Sequence, residues 1–374
     1  MTRRALTLLA SAALLAAFVA PPGGRAQDLW DLPPRVAPPR VPANFPMTPA
    51  RVALGRHLFY DTRLSGNGAQ SCATCHIQAL AFTDGRPLGI GSTGETHARS
   101  AMSLVNVAYR DTLTWGHPAM PSLEQQVLVP LFGAGPVELG LGGHEARVYA
   151  ELRADPVYQR LFAEAFPGDA DPVATPNVAA GLAAFQRSIV SFRSPFDRFR
   201  EYEEDDALSP AARRGMVLFF SERGARCANC HRGPNLDAGV KTVASPGDEA
   251  PVFTFHNTGL YDLPGRFSYP DDNLGLYAHT GQPQDVGRFR VPTLRNVALT
   301  APYMHDGSIA TLEGVLDHYA AGGRTTNPTR STGLGPLQLT AEDRDDLLAF
   351  LDSLTDGPLL DDPRWSDPWP AAGR

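Results

Sequence analysis

Cys72-Ala-Thr-Cys75-His76 is the stretch that decides the fold of this chain, and it recurs as Cys227-Ala-Asn-Cys230-His231. The two copies contain all four cysteines of the 374 residues. Cys-x-x-Cys-His is the spacing of covalent c-type haem attachment, in which two thiols one helical turn apart add to the vinyl groups of one porphyrin. The adjacent imidazole then binds the iron. The sequence therefore predicts two covalently attached c-type haems, with His76 and His231 as the proximal iron ligands.

Two simpler interpretations of the cysteines are a structural disulfide and a zinc site held by all four thiols. Four cysteines in 374 residues are too few for a disulfide scaffold. A zinc site would require the fold to bring the two pairs together, and it would leave both histidines without a function. The haem interpretation accounts for every defining residue of both motifs.

The sequence that precedes each haem motif is duplicated as well. Thr48-Pro49 and Ser209-Pro210 each combine an N-cap residue with proline at the first helical position, which predicts a helix start. A Gly-x-x-Leu-Phe pattern follows in both copies and leads into the haem motif. Apolar residues at helical spacing then predict a closing amphipathic helix over Pro176 to Phe192 and another over Thr340 to Leu354, where Asp343 completes a capping-box pattern.

This duplication predicts an all-α fold of two cytochrome-c-like domains with long loops, joined near Arg200 to Leu208. Six prolines between residues 27 and 46 predict an extended leader on the surface. The predicted boundaries are 1–26 for a signal peptide, 27–46 for the leader, 47–204 for the N-terminal domain and 205–374 for the C-terminal domain.

The first 26 residues have the pattern of an export signal. Arg3 and Arg4 precede an apolar run from Ala5 to Ala20, and Gly24 and Ala26 place small residues at a cleavage site. The run is shorter than the ~20 residues that span a bilayer, although an uncleaved anchor stays an alternative. We therefore predict a periplasmic protein that has no membrane segment after cleavage.

The charge of the chain limits the classes of partner. Its 33 Lys+Arg and 40 Asp+Glu give a formal net charge of −7 at pH 7. A nucleic-acid-binding protein would carry a basic stripe, so we expect no nucleic acid among the partners.

The sequence resembles the bacterial di-haem cytochrome c peroxidase and MauG superfamily over almost all of the mature chain. Two further segments carry this resemblance. One is Phe289-Arg-Val-Pro-Thr-Leu-Arg-Asn-Val-Ala-Leu-Thr300-Ala-Pro302-Tyr-Met-His305-Asp-Gly, and the other is the series Trp115…Leu123-Glu-Gln-Gln126…Pro130…Pro136-Val-Glu138-Leu. The resemblance implies two haems that face each other across the domain interface. It also implies that the first haem reacts with hydrogen peroxide while the second stores or passes electrons.

The same resemblance implies roles for residues near the first haem. Glu138 matches a pocket carboxylate that takes a proton from peroxide and returns it to the leaving oxygen. Gln126 matches a glutamine that positions the peroxide, with Gln125 as an alternative. Pro130 offers no ligand and helps keep the sixth iron position vacant, and Trp115 matches an aromatic relay between the haems.

The distal ligand of the second haem separates the subfamilies. The family position falls on Tyr319, where ordinary di-haem peroxidases resemble each other in having Met and MauG has Tyr. A thioether raises the iron potential, whereas a phenolate donates charge and favours the oxidised states. Met304 and His318 are the alternative ligands.

The resemblance also implies a calcium ion between the domains, held by the backbone carbonyls of Thr300 and Pro302. Ser100 stands where the family carries an asparagine ligand, and this departure weakens the site. His97 lies close to the position of a removable distal histidine in peroxidases and is a candidate for that role, and the alternative is a solvated loop histidine.

Together these features predict a periplasmic oxidoreductase that uses hydrogen peroxide to form a high-valent di-haem state and to oxidise a partner protein. The segment from Asn106 to Trp115 also resembles the di-haem enzymes that accompany methanobactin gene clusters, which implies a copper-binding partner whose tryptophan is oxidised. One alternative is a peroxidase supplied with electrons by a small cytochrome c. The other is a non-catalytic di-haem electron carrier.

Overall fold

The computed structural model describes residues 29–110, 112–120, 122–238, 255–265, 268–324 and 326–370. The predicted signal peptide lies outside these residues. The described chain is mostly helical, which confirms the predicted fold class to that extent. None of the described helices is long and apolar enough to cross a bilayer.

The helices of the described chain are α1 (Pro49–Phe59), α2 (Cys72–Cys75), α3 (Leu123–Gln126), α4 (Leu128–Phe132), α5 (Glu145–Ala154), α6 (Pro156–Ala165), α7 (Thr175–Ser188), α8 (Pro195–Glu201), α9 (Pro210–Phe220), α10 (Tyr277–Thr280), α11 (Leu312–Ala320) and α12 (Ala341–Asp352). Short 3-10 helices cover Thr62–Leu64, Gln78–Leu80, Val107–Tyr109, Asp205–Ala207, Cys227–Asn229, Pro283–Asp285, Val297–Leu299 and Gly357–Leu360. Two short strands, β1 (Phe255–His256) and β2 (Phe289–Arg290), pair in antiparallel fashion.

The duplicated helix starts form as the sequence predicts. The Thr48 side chain accepts a hydrogen bond from the Arg51 N–H at 3.2 Å, and the Ser209 side chain accepts one from the Ala212 N–H at 3.1 Å. Each bond satisfies a backbone donor that the first helical turn cannot satisfy by itself. Proline at the first helical position costs nothing there because its missing N–H would have had no partner.

One glycine in each half allows two helices to touch. A Cβ added at Gly55 of α1 would overlap the Gly181 carbonyl of α7 and lie 2.8 Å from the Phe185 Cβ. A Cβ added at Gly215 of α9 would overlap the Asp346 carbonyl of α12 and lie 2.9 Å from the Phe350 Cβ. The helix pairs α1–α7 and α9–α12 therefore cross at equivalent glycines.

The closing helix of the first half differs from the prediction at its end and in its burial. Helix α7 ends at Ser188, four residues before Phe192, and its residues from Val178 to Ser188 are all buried rather than amphipathic. The chain leaves the helix because Asn106 binds it: the Asn106 N–H donates to the Ile189 carbonyl at 2.9 Å, and the Ser191 N–H donates to Asn106 Oδ1 at 2.7 Å. Helix α12 starts as predicted, with Thr340 and Asp343 forming a capping box.

Both ends of the described chain pack on the first half. Trp30 of the leader is 6% exposed, and its indole N–H donates to the Arg187 carbonyl at 2.8 Å. Trp365, near the other end, joins the same hydrophobic cluster as Phe59 and Phe185 and donates its indole N–H to the Ser188 carbonyl at 3.1 Å. The predicted domain boundaries stay a prediction.

Candidate haem-binding sites

The first Cys-x-x-Cys-His motif forms a single helical turn, which places its two thiols close together. Helix α2 covers Cys72–Cys75, and the His76 N–H closes the turn on the Cys72 carbonyl at 3.0 Å. Nδ1 of His76 lies 2.9 Å from the Phe82 carbonyl oxygen. A carbonyl can only accept, so Nδ1 carries the proton and Nε2 keeps a lone pair for a metal.

The second motif has the same arrangement but forms a 3-10 turn instead of an α-helical turn. A 3-10 turn covers Cys227–Asn229, preceded by Arg226 in the left-handed region at φ 56°. The His231 N–H donates to the Cys227 carbonyl at 2.9 Å, and its Nδ1 lies 3.0 Å from the Leu236 carbonyl oxygen. Burial lowers the pKa of His231 to about 4, which keeps the imidazole in the neutral form that binds iron.

Glu138 sits in a loop that is fixed by backbone hydrogen bonds on both sides. The Ser92 N–H donates to the Glu138 carbonyl at 2.7 Å, and the Leu139 N–H donates to the Pro130 carbonyl at 2.9 Å. A Cβ at Gly91 would overlap the Val137 carbonyl, so only glycine allows this close approach. The loop therefore holds Glu138 in a defined place beside Pro130.

The carboxyl of Glu138 acts electrostatically on the first motif. Its charge contributes to raising the pKa of both thiols there, Cys72 and Cys75, although burial is the larger cause. Burial also raises the pKa of Glu138 itself to about 7. A carboxyl with that pKa exchanges protons readily at neutral pH, as a general acid–base group requires.

The two glutamines that compete for the pocket role differ in burial. Gln125 is exposed, whereas Gln126 at the end of α3 is partly buried. This difference favours Gln126. Pro130, in α4, carries no side-chain donor atom for a metal.

The second motif lines a cavity of about 710 Å³. Its lining includes Cys227, Cys230 and His231, and also Tyr319 and Trp115. The volume lies in the ~300–1,000 Å³ range of ligand sites. The structure thus brings Tyr319 of α11 and Trp115 of the first half to the cavity of the second haem motif.

The alternative ligands are placed differently from each other. Met304 lines the cavity, and His318 is not among the described residues that do. The His318 Nε2 instead lies 3.0 Å from the Thr258 carbonyl oxygen. Burial raises the pKa of the Tyr319 phenol, so its anionic form requires a cation such as ferric iron beside it.

Buried charges at this cavity fit an anionic cofactor, and sequence analysis missed them. Arg110 and Arg290 line the cavity at 7% and 6% exposure, and Asp237 is 3% exposed. The Arg110 Nε lies 3.6 Å from Asp237 Oδ2 and makes no hydrogen bond. Burial and the charge of Arg110 lower the pKa of Arg290. A porphyrin carboxylate would neutralise this positive excess, so these residues fit a haem.

The predicted calcium residues lie along the same cavity. Thr300 and Pro302 line it, and the Ser100 hydroxyl lies 3.4 Å from the Met304 carbonyl oxygen. Among the described residues, no group of three or more His, Cys, Asp or Glu side chains is placed to hold a metal ion. The calcium site stays a prediction. So does the distal role of His97, a partly buried loop residue.

Comparison with known proteins assigns the family. The model of the di-haem cytochrome c peroxidase family matches residues 49–205. Cytochrome-c peroxidase IdrP1 of Denitromonas iodatirespirans is 36% identical over 96% of this chain and 95% of its own length. Methylamine utilization protein MauG of Methylorubrum extorquens is 36% identical over 88% of this chain and 85% of its own length. The chain belongs to the di-haem cytochrome c peroxidase and MauG family.

A solved structure of this family supports the fold. A MauG-like protein associated with microbial copper homeostasis is 46% identical, with a TM-score of 0.87 over 91% of this chain and 99% of its own. Membership in the family confirms that this protein is a haem enzyme that acts on hydrogen peroxide, and it implies two c-type haems. Both MauG and cytochrome-c peroxidases occur among relatives of equal identity, so overall identity does not separate these two functions.

Proposed function

We propose that this di-haem protein uses hydrogen peroxide to oxidise a partner protein in the periplasm, as MauG-like enzymes do. One observation carries the proposal: Tyr319 lines the same cavity as Cys227, Cys230 and His231. A phenolate ligand favours the oxidised states of iron, whereas a methionine ligand favours the reduced state. An iron held by His231 and Tyr319 suits a protein that removes electrons from a partner.

The haems supply the redox chemistry when bound, reacting with hydrogen peroxide and holding two oxidising equivalents between them. The thiols of both motifs would attach the porphyrins covalently, and His76 and His231 would each supply an imidazole nitrogen to an iron. Pro130 has no side-chain atom that could act as a further ligand to the first haem. Gln126 orients the peroxide by hydrogen bonding through its amide.

Glu138 handles the protons of this reaction. Its carboxylate accepts a proton from the bound peroxide oxygen and donates it to the leaving oxygen, which departs as water. The pKa of about 7 supports both steps, since neither protonation state is strongly favoured at neutral pH.

Trp115 connects the two halves in this proposal. Its ring lines the cavity of the second motif, and its indole N–H donates to the Ser100 carbonyl at 3.0 Å. That bond fixes the ring in one orientation. Trp115 then passes single electrons between the two haem sites.

For the partner, we propose a copper-binding periplasmic protein whose tryptophan is oxidised. The segment from Asn106 to Trp115 resembles the di-haem enzymes that accompany methanobactin gene clusters, and this resemblance supports that class of partner. So does the 46% identity to the MauG-like protein associated with copper homeostasis.

We also propose that a calcium ion binds the backbone carbonyls of Thr300 and Pro302. Elemental analysis that finds no calcium in the purified protein would rule out this site.

The second candidate function is a peroxidase that receives electrons from a small cytochrome c. Met304 favours it, because this thioether lines the same cavity as His231. The two functions differ in which side chain binds the second iron.

The test is the ferric electron paramagnetic resonance spectrum of Tyr319→Phe, with Met304→Ala as the matched variant. We expect Tyr319→Phe to weaken the low-spin signal of the second haem and to leave the high-spin signal of the first unchanged. Met304→Ala should keep both signals. The reverse result, with low-spin signal lost only in Met304→Ala, would establish His/Met ligation and the peroxidase function.

A further inference from the structure

Trp115 packs against a cluster of aromatic side chains that has no role in the proposed function. Tyr269 and Phe289 form its buried part, at 4% and 7% exposure. Trp115 and Tyr261 are both partly buried side chains packed against this group. The group therefore connects the tryptophan of the haem cavity with a tyrosine at the protein surface.

The rings of this group follow one another at contact distances, with His305 in the middle. The ring centroids of Trp115 and His305 are 6.5 Å apart, and His305 stacks on Phe289 at 3.6 Å with an interplanar angle of 14°. Tyr269 lies 6.5 Å from His305, and Tyr261 lies 5.4 Å from Tyr269. A continuous series of aromatic rings therefore runs from Trp115 to Tyr261.

The two ends of the series differ in what accepts their protons. The Trp115 N–H donates to a backbone carbonyl, which is too weak a base to remove the proton of an oxidised indole. The Tyr261 hydroxyl donates to Oδ2 of Asp306, which is a carboxylate. An oxidised phenol is a strong acid and loses its proton to such a base, which makes its oxidation easier. The tyrosine end is therefore the favoured place for a missing electron.

The buried tyrosine between them lacks such a base. The Tyr269 hydroxyl donates to the amide oxygen Asn257 Oδ1 at 2.7 Å. The Ser308 N–H donates to Asp306 Oδ1 at 3.1 Å and orients the carboxylate, so that Oδ2 accepts the hydrogen bond from Tyr261. Of these two tyrosines, only Tyr261 is paired with a carboxylate.

We propose that Tyr261 is a redox relay residue through which oxidising equivalents leave Trp115 for the protein surface. In this step, Tyr261 gives one electron to one-electron-oxidised Trp115 and gives its phenolic proton to Asp306 Oδ2. Trp115 returns to the neutral indole, Tyr261 becomes a neutral phenoxyl radical, and Asp306 becomes a carboxylic acid. Hydrogen peroxide, the oxidant of this family, supplies the equivalents. The inference rests on the proposed function, because it requires that Trp115 is oxidised.

The exposed surface beside Tyr261 gives this relay an outlet. Residues 262–265 are all exposed, and Leu263 alone has 42% of its surface open to solvent. A partner protein with an oxidisable aromatic side chain at this surface would give one electron to the Tyr261 radical. The proton held by Asp306 then returns to the phenolate oxygen and completes the cycle.

The experiment adds hydrogen peroxide to the holoprotein without partner, in the presence of a nitroso spin trap, and maps the trapped residues by peptide mass spectrometry. We expect a covalent adduct on Tyr261 in the wild type. The adduct should be lost in Tyr261→Phe and in Asp306→Asn, because the amide keeps the shape of the carboxylate but cannot take the proton. The matched control is Tyr202→Phe, since Tyr202 is an exposed tyrosine outside this cluster at 41% exposure.

Two results would overturn the relay. One is a Tyr261 adduct of unchanged yield in Asp306→Asn, and the other is trapping on Tyr202 in preference to Tyr261. Thermal unfolding midpoints of both variants equal to that of the wild type show that a lost adduct reflects chemistry rather than misfolding.

A second sample, treated with peroxide in the presence of a tryptophan-containing partner protein and without the spin trap, separates this inference from the proposed function. If that partner is oxidised while Tyr261 carries no adduct in the partner-free sample, the relay is wrong and the proposed function stands. If Tyr261 carries the adduct in the partner-free sample but the partner is not oxidised, oxidation of Trp115 and the relay stand, and the proposed oxidation of this class of partner fails.

Discussion

The two Cys-x-x-Cys-His regions share one frame on the side of the proximal histidines. In both, a Ser or Thr cap precedes the first helix, and a glycine in that helix allows contact with the closing helix. In both, the histidine N–H closes on the first cysteine carbonyl, and Nδ1 is held by a backbone carbonyl. The duplicated sequence thus repeats the same way of presenting an imidazole to a metal.

The regions differ in what lies near them beyond this frame. The first has a carboxyl, Glu138, whose pKa is raised to about 7, and a proline that offers no ligand. The second has a phenol, Tyr319, in a cavity with buried arginines. These groups come from segments outside the repeat. Duplication therefore supplies two equivalent Cys-x-x-Cys-His frames, and the added segments place different side chains near them.

Removal of one cysteine pair at a time is expected to have the largest effect. Cys72→Ala with Cys75→Ala should leave one covalent haem and abolish the reaction with peroxide, because we propose that the first haem is the one that reacts with peroxide. Cys227→Ala with Cys230→Ala should also leave one haem but keep a peroxide-reactive high-spin iron. Intact mass after acid–acetone extraction counts the haems, and stopped-flow absorption follows the reaction.

Equal reactivity of both double variants with peroxide would contradict the proposed difference between the two Cys-x-x-Cys-His regions. The two sites would then be chemically equivalent despite their different surroundings. Loss of both haems from either variant would instead show that the two halves mature together.

Glu138→Gln is expected to have the next largest effect, at the first site alone. Glutamine keeps the shape of the side chain but cannot take a proton, and general acid–base help is worth ~10²–10⁴-fold in rate. The reaction with saturating peroxide should slow by about that factor. Haem content and the low-spin signal of the second site should not change.

The matched control for this variant is Glu95→Gln. Oε2 of Glu95 accepts the Val137 N–H at 2.9 Å, and an amide oxygen in its place preserves that bond. Glu95→Gln removes one negative charge next to the same loop without removing the pocket carboxyl. An equal loss of rate in both variants would assign the effect to charge or loop position rather than to proton transfer.

The frame was predictable from sequence because it depends on contacts between near neighbours. Thr48, Ser209 and Thr340 cap helices through residues three positions away, and the caps form as predicted. The end of α7 was not predictable, because it is set by Asn106, 85 residues before Ser191. No local pattern encodes a hydrogen bond across that separation.

The site shows the same limit. The haem motifs identify their own ligands by spacing, whereas the presence of Tyr319 beside Cys230 was suggested only by family resemblance. Arg110 and Arg290 line one cavity, and Asp237 lies beside Arg110, although the three residues come from distant segments and nothing in the sequence around each predicts this proximity. Their burial is visible only once the chain is folded.

The pH dependence of the peroxide reaction is expected to be the smallest effect, and it tests the sign of the role of Glu138. Burial raises the pKa of this carboxyl from its ordinary value to about 7. A base must be ionised to accept the peroxide proton, so the rate should fall about tenfold per pH unit below that pKa and level off above it. A rate that instead falls above pH 7 would mean that proton return to the leaving oxygen limits the reaction. Glu138→Gln should flatten the profile and His97→Gln should leave it unchanged, because the proposed function assigns no proton transfer to His97. A profile that keeps its shape in Glu138→Gln would remove Glu138 from the chemistry and with it the main difference between the two haem sites.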